Sequence, residues 1–317
     1  MKVIIADKMD TKAQTVLANL GLTVDARPAN GEISIETIIG EADALLVRSA
    51  TTVDAALIAK APNLKVIGRA GIGVDNIDIT AASNANIIVM NTPMANAIST
   101  AEHTLALLFA VARHVPQANT STHAGHWEKN RFTGVELSHK TLGIIGCGNI
   151  GKIVANRAQG LKMHVCAFDP MLSDAQAAEN QIEKVSLVDL FARSDFITLH
   201  TPLTADTKHI IDADAIAKMK TGVYLINAAR GGLIDETVLK AALDSGQIAG
   251  VAMDVFAEEP LTQHPLMQHP RVILTPHIAA ATKEAQDNVA IQIAEQVGGF
   301  LTTGAITHAI NTHSLKP

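Results

Sequence analysis

Thr141-Leu142-Gly143-Ile144-Ile145 runs directly into Gly146-Cys147-Gly148-Asn149-Ile150-Gly151, and a helix-forming run, Lys152 to Gly160, follows at once. An apolar strand, glycines at G-x-G-x-x-G spacing and a helix predict a tight turn whose backbone N–H groups and helix N-terminus face an anion. This is the phosphate site of a dinucleotide-binding sheet. A second strand-like run, Met163 to Phe168, ends in Asp169, eighteen residues after Gly151. A carboxylate there can accept both hydroxyls of an adenosine ribose. Asp169-Pro170-Met171-Leu172-Ser173 offers no cation for a 2′-phosphate, so NAD is expected rather than NADP. The competing reading, a glycine turn without a ligand, is weakened because strand, loop, helix and acid agree.

Four more strand-like runs follow, Phe196 to Leu199, Val223 to Ile226, Ile248 to Met253 and Val272 to Leu274, making six with the first two. Upstream, Lys2 to Ala6, Thr23 to Ala26, Ala44 to Val47, Leu64 to Ile67 and Ile87 to Met90 read as five strands of a separate open sheet. The fold class expected is α/β, with two doubly wound parallel sheets. A length of 317 residues suits two domains, and 48% hydrophobic residues with only nine aromatics imply an aliphatic core suited to covered parallel strands. Collagen, disulfide-framework and disordered classes are excluded.

A net charge of −6 without a basic block argues against nucleic acid. The longest apolar stretch, Leu105 to Ala112, is far too short to cross a bilayer, and no signal peptide is read at Met1. A cytoplasmic protein is expected. Cys147 and Cys166 read as reduced core residues.

Ligands bind open α/β sheets beyond the carboxyl ends of the strands. In the first sheet those positions hold Asp7, Arg48-Ser49, Arg69-Ala70-Gly71-Ile72-Gly73 and Asn91-Thr92-Pro93. Two arginines and glycines would form a rim that grips an anion, the alternative being surface salt bridges. In the second sheet they hold His200-Thr201-Pro202, Asn227 to Gly232, Asp254 to Pro260 and Thr275-Pro276-His277. Nicotinamide chemistry on an alcohol needs a group that takes the hydroxyl proton, and His277 can do so because imidazole titrates near neutral pH. Glu258 or Glu259 would orient that ring and favour its protonated form, and Arg230 would bind a substrate carboxylate at two points.

His200 reads as part of the cofactor wall. His264, His269, His308 and His313 read as solvated. His123 and His126 lack a complete ligand set, so no metal is expected. No G-x-S-x-G elbow supports a serine hydrolase. Ser99-Thr100-Ala101-Glu102 reads as a capping box opening a helix with Leu105, Leu108, Phe109 and Ala112 on one face. The stretch from Gln117 to His139, which contains Trp127, reads as irregular: a loop, dimer contact or lid.

Arg48-Ser49-Ala50-Thr51, Gly68 to Asn76, Asn91-Thr92-Pro93, Gly146 to Gly151, Asn227 to Gly232, Asp254 to Pro260 and Pro276-His277 occur in one order. Together they resemble the D-isomer-specific 2-hydroxyacid dehydrogenases over nearly the whole chain. The resemblance implies a flavodoxin-like substrate domain at 1–98 and 284–317, with a Rossmann NAD-binding domain at 99–283 inserted between. A helix from about Thr282 to Leu301 and a run from Ala305 to Asn311 would return the chain to the first domain.

The resemblance also implies a catalytic trio of Arg230, Glu259 and His277, choosing Glu259 over Glu258. Cofactor contacts would come from Gly146, Gly148, Asn149, Ile150, Gly151, Asp169, His200, Thr201, Pro202, Ala228, Ala229, Asp254 and Ala279. Substrate contacts would come from Arg48, Ser49, Arg69, Gly71, Ile72 and Asn96. A homodimer joined through the NAD-binding domain is implied as well.

The expected reaction is reversible oxidation of 3-phospho-D-glycerate to 3-phosphohydroxypyruvate, the entry to serine synthesis. The alternatives are reduction of hydroxypyruvate, glyoxylate or another small 2-keto acid, and a non-catalytic NAD-sensing protein. Ala95 and the run Ile278-Ala279-Ala280-Ala281 stand where members commonly carry glycine. With the chain ending at Pro317, feedback through a C-terminal serine-binding domain is not expected.

Overall fold

The computed structural model describes residues 1–27 and 34–314; Leu315 to Pro317, the end of the expected returning segment, lie outside the described residues. The chain divides into two compact units, Met1–Asn96 with Ala281–Pro317, and Ala97–Ala280.

The first unit carries a parallel sheet of β1 (Lys2–Ile5), β2 (Thr23–Ala26), β3 (Ala44–Val47), β4 (Val66–Arg69) and β5 (Ile88–Asn91), in the order β2-β1-β3-β4-β5. This is the flavodoxin-like order. Alternation along each strand divides the core. Val3, Ile5 and Leu46 pack with Leu17, Ile293 and Val297 on one face, while Ile4, Leu45 and Ile67 pack with Leu57 and Ala82 on the other.

Gly68 lets the helix Lys283–Thr303 lie close, since a Cβ there would stand 2.6–2.8 Å from Leu46, Val297 and Ile293 side chains. The ladder carries β4 and β5 past their apolar runs. Arg69, paired with Val47 and Asn91, is therefore a terminal strand residue rather than a loop residue.

Asn311 locks the C-terminal segment onto this sheet. Its amide donates to Ser83 Oγ at 3.0 Å and Ile87 O at 2.9 Å, and its carbonyl accepts from Val89 N at 2.9 Å. The side chain is buried. Asn311→Ala leaves a buried N–H and C=O without partners and is expected to lower unfolding free energy by about 2–4 kcal/mol in urea titration. An unchanged midpoint would refute the lock.

The second unit has seven parallel strands, β6 (Thr141–Ile145), β7 (His164–Phe168), β8 (Glu183–Lys184), β9 (Phe196–Leu199), β10 (Val223–Asn227), β11 (Ile248–Met253) and β12 (Val272–Leu274). Their order is β12-β11-β10-β9-β6-β7-β8. The direction of winding reverses between β6 and β9, the switch point where a Rossmann sheet binds its dinucleotide. The six runs read from sequence are all strands. The seventh, β8, is two exposed residues with no apolar signature.

The helix Ala97–Arg113 starts ahead of the expected capping box. Ser99 and Thr100 lie inside it, buried, with Thr104 Oγ1 donating to Thr100 O. Its buried stripe runs through Ala101, Thr104, Leu108, Val111 and Ala112, whereas Phe109 is 43% exposed. The stretch expected to be irregular contains a helix, Val115–His123, and a short turn of helix, Lys129–Phe132. Pro116 near the helix start and a run of small polar residues obscured its period. Among the described residues no helix is long and apolar enough to cross a membrane.

Candidate active site

At the end of β6 the glycine loop is shaped by close approach. Gly146 has φ +90°, and a Cβ there would stand 2.7–2.8 Å from the backbone of His200 and Thr201. A Cβ on Gly151 would collide with Gly146 O, so this glycine seats the helix Asn149–Gly160 on the turn. Gly148 caps that helix and faces open space, where a ligand can meet backbone.

Asp169 is tied to the same turn: Oδ2 accepts from Cys147 N at 2.7 Å and Oδ1 from Met171 N at 2.8 Å. The carboxylate is thereby fixed beside the loop. These residues fit a dinucleotide. Burial, reinforced by Asp169, pushes the Cys147 thiol up to about 11, so it stays a neutral core group.

His200 closes β9, its N–H donating to Ile145 O at 2.7 Å and its Nε2 3.1 Å from Thr198 Oγ1. Nδ1 is buried without a hydrogen-bond partner among the described residues, and burial pushes the imidazole down to about 3. An unfolded imidazole takes up a proton near pH 6.5. The folded state therefore loses stability as pH falls from about 6.5 towards 3, by up to about 1.4 kcal/mol per pH step, and the group contributes no dependence above 6.5. His200→Asn should flatten this acid limb, so the stability gap to the parent should narrow between pH 7.5 and 5.5. A constant gap would contradict the neutral assignment.

A carboxylate–imidazole pair is assembled on loops after β11 and β12. His277 Nδ1 lies 2.7 Å from Glu259 Oε2, and Glu259 Oε1 accepts from Phe256 N at 3.0 Å. A carboxylate on Nδ1 fixes the proton there and leaves Nε2 to exchange protons with a substrate. Glu258 takes no part in this pair. His277 adopts φ +52°. Its N–H donates to Asp254 O at 2.9 Å.

Asp254, fully buried, holds the following residues: Oδ1 accepts from Ile278 N at 2.9 Å and Oδ2 from Ala279 N at 2.8 Å. His103 Nε2 also stands 3.4 Å from Oδ1. Burial alone would raise the Asp254 carboxyl, but hydrogen bonds from His103, Thr275, Ile278 and Ala279 outweigh it and hold the group below the usual carboxylate range.

Arg230 follows β10 in a turn held by fully buried Asn227, whose amide donates to Arg230 O at 2.8 Å and whose carbonyl accepts from Ala229 N at 3.1 Å. Gly231 presses its Cα onto the Phe256–Ala257 peptide. The turn bearing Arg230 and the loop bearing Glu259 are thus keyed together. Ala228 is buried beside this turn, and Thr201-Pro202 follow His200.

In the first unit, Arg48-Ser49-Ala50-Thr51 is held from both sides. Asp7 accepts from Arg48 N, Thr51 N and Thr51 Oγ1, while Asn76 donates to Arg48 O and Thr51 O. Arg69 donates to Ala70 O at 3.2 Å, its guanidinium lying over Gly71, which has φ +142° and where a Cβ would displace that guanidinium. Ile72 O accepts from Asn91 Nδ2, and Asn96 is buried.

Two histidines depart from expectation. His264 pairs with Glu236 at 2.9 Å and His269 with Asp244 at 3.4 Å, their side chains 16% and 10% exposed rather than solvated. Sequence reasoning also passed over His103 and Glu236. Each sits in a helix with only tertiary contacts to mark it.

The NAD-binding domain of the D-isomer-specific 2-hydroxyacid dehydrogenases matches residues 105–279, more than half the chain. The chain belongs to this family. Its second unit is the family's NAD-binding domain. The chain is 45% identical over 311 residues to D-3-phosphoglycerate dehydrogenase of Mycobacterium leprae, covering 98% of this chain and 58% of that relative. It therefore spans rather more than half of that protein's length.

Among solved structures, a glyoxylate reductase from Paecilomyes thermophila is similar with a TM-score of 0.90 at 30% identity over 99% of each chain. D-lactate dehydrogenase from Aquifex aeolicus, solved with NAD and lactic acid, gives 0.83 at 27% identity over 95% of each. These two similar structures carry names that differ in the acid they act on, while the fold is shared.

Proposed function

We propose that this chain catalyses the reversible, NAD-dependent oxidation of 3-phospho-D-glycerate to 3-phosphohydroxypyruvate, the entry to serine synthesis. The observation that carries the reading is the 2.7 Å Glu259–His277 pair, set beside a turn that presents Arg230. The likeness to D-3-phosphoglycerate dehydrogenase supports the substrate.

Arg230 binds the substrate carboxylate and leans on the C2 oxygen. His277 Nε2 accepts the C2 hydroxyl proton, and Glu259 stabilises the imidazolium that forms. Bound NAD⁺ would supply the acceptor for the C2 hydrogen as hydride, the balance being alcohol plus NAD⁺ to ketone, NADH and one proton. Gly146, Gly148, Asn149, Ile150 and Gly151 hold the pyrophosphate, and Asp169 the ribose. Thr201, Ala228 and Asp254 line the nicotinamide side, with His200, Pro202, Ala229 and Ala279 completing the wall.

The first unit serves as the substrate-binding domain, with contacts from Arg48, Ser49, Arg69, Gly71, Ile72 and Asn96 and the phosphate held by the arginines. The protein acts as a cytoplasmic homodimer joined through the NAD-binding unit. Trp127 at 78% exposure, with Val115 and Phe109 also exposed, supports that face.

A second reading, reduction of glyoxylate, hydroxypyruvate or another small 2-keto acid, is favoured by Ala95 and by the likeness to a glyoxylate reductase. NADH consumption with phosphohydroxypyruvate, hydroxypyruvate, glyoxylate and pyruvate separates the two. The highest kcat/KM is expected with phosphohydroxypyruvate. A preference for an unphosphorylated acid would install the second reading, and tight NADH binding with no turnover would replace both with an NAD sensor.

A further inference from the structure

Behind the Glu259–His277 pair lies a second carboxylate–imidazole pair. Glu236 opens the helix Glu236–Ser245, and its side chain is only 10% exposed. One oxygen, Oε1, accepts from Ala257 N at 2.8 Å. The other, Oε2, is 2.9 Å from His264 Nε2. His264 Nδ1 in turn accepts from the N–H of Leu266, which is buried in the core. Because Nδ1 is an acceptor, the ring carries its proton on Nε2 and donates it to Glu236, a neutral tautomer fixed by the network.

The peptide that Glu236 grips is the one on which Gly231 rests its Cα. The N–H preceding it, on Phe256, is the donor that holds Glu259 Oε1. A single peptide, Phe256–Ala257, is therefore gripped through its N–H by Glu236 and packed by the Arg230 turn, and it leads directly into the carboxylate that orients His277.

We propose that Glu236, held by His264, is a positioning residue for the acid–base pair, fixing the Phe256–Ala257 peptide and through it the carboxylate of Glu259. This rests on the reading of Glu259 and His277 as the acid–base pair. Freed of the anchor, the loop takes up several conformations, of which few place Glu259 Oε2 on His277 Nδ1. Turnover falls, while the glycine loop that binds NAD is untouched.

The test compares E236A, E236Q and H264A with the parent, using 3-phospho-D-glycerate or whichever 2-keto acid the parent reduces, with amide hydrogen exchange on the same proteins. E236A is expected to lower kcat by about tenfold or more with KM for NAD nearly unchanged, and to speed exchange in the segment 254–262 but not in β10. E236Q keeps an oxygen for Ala257 N but turns its amide N–H₂ towards the His264 Nε2–H, so like H264A it should recover only part of the turnover, both lying between E236A and the parent.

Folded E236A with parental kcat and exchange would overturn the proposal, as would E236Q as impaired as E236A. If E236A does not fold, H264A decides in the same way: parental kcat and exchange overturn the proposal, and a loss in both sustains it. H277N is the control. Full activity there removes the underlying reading, whereas an inactive H277N beside a fully active E236A removes only this inference.

Discussion

Replacing His277 with asparagine is expected to cut kcat/KM by about 10²–10⁴-fold, about 3–5 kcal/mol of transition-state stabilisation, while NAD affinity stays nearly intact. Asparagine isolates the chemistry. His277 adopts φ +52°, a region that asparagine tolerates better than most residues, so the backbone around the site keeps its shape. The hydrogen bonds that hold this segment to Asp254 come from the main chain of residues 277 to 279 and survive the change. What is lost is a ring nitrogen that can exchange a proton with the substrate while Glu259 steadies the other. Steady-state kinetics and an NAD titration of the same preparation check both halves. Turnover within tenfold of the parent would remove His277 from the acid–base role.

Gly231→Ala is the second large effect expected. The added methyl would fall inside the contact radii of Phe256 O, Phe256 C and Ala257 N. These are backbone atoms, which yield only if the loop carrying Glu259 moves. Overpacking of this kind costs about 1–3 kcal/mol of stability. A displacement near 1 Å at the acid–base pair is expected to lower kcat by about 10²-fold.

Gly232→Ala supplies the contrast. Gly232 has φ +77°, and a Cβ there would meet only Leu203 side-chain atoms at 3.5–3.6 Å. Its cost is backbone strain of about 1 kcal/mol with little change in kcat. Thermal unfolding and kinetics on both variants check the pair. Equal losses in kcat would show that contact with the loop is not what Gly231 provides.

The parts of the site legible in the sequence were those whose chemistry is local. The turn Gly146 to Gly151 declares itself because strand, glycines and helix are contiguous, and Asp169 because it ends the next strand. Arg230, His277 and the pair Glu258-Glu259 stood out because each follows an apolar run, and open α/β sheets place such residues at one edge, while the family resemblance singled out Glu259. What sequence could not show arises from contacts across long separations.

Glu236 and His264 are twenty-eight residues apart, and nothing in the spacing says that a helix-opening glutamate reaches a loop histidine. His103 looks like any polar position on a helix until Asp254 lies against it. Ser99 to Glu102 imitated a helix start because the pattern fits, yet tertiary packing buries Ser99 and Thr100 inside the helix. The two exposed residues of β8 form a strand only because β7 offers an edge.

The proposed activity moves the C2 hydrogen of a D-2-hydroxy acid to NAD. Incubation of the protein with NAD and 3-phospho-D-glycerate deuterated at C2, followed by mass spectrometry of the NADH formed, tests it directly. The predicted result is one deuterium on the nicotinamide ring of each NADH, with one phosphohydroxypyruvate formed alongside. NADH without the label, or no NADH from any 2-hydroxy acid despite saturating NAD, would contradict it.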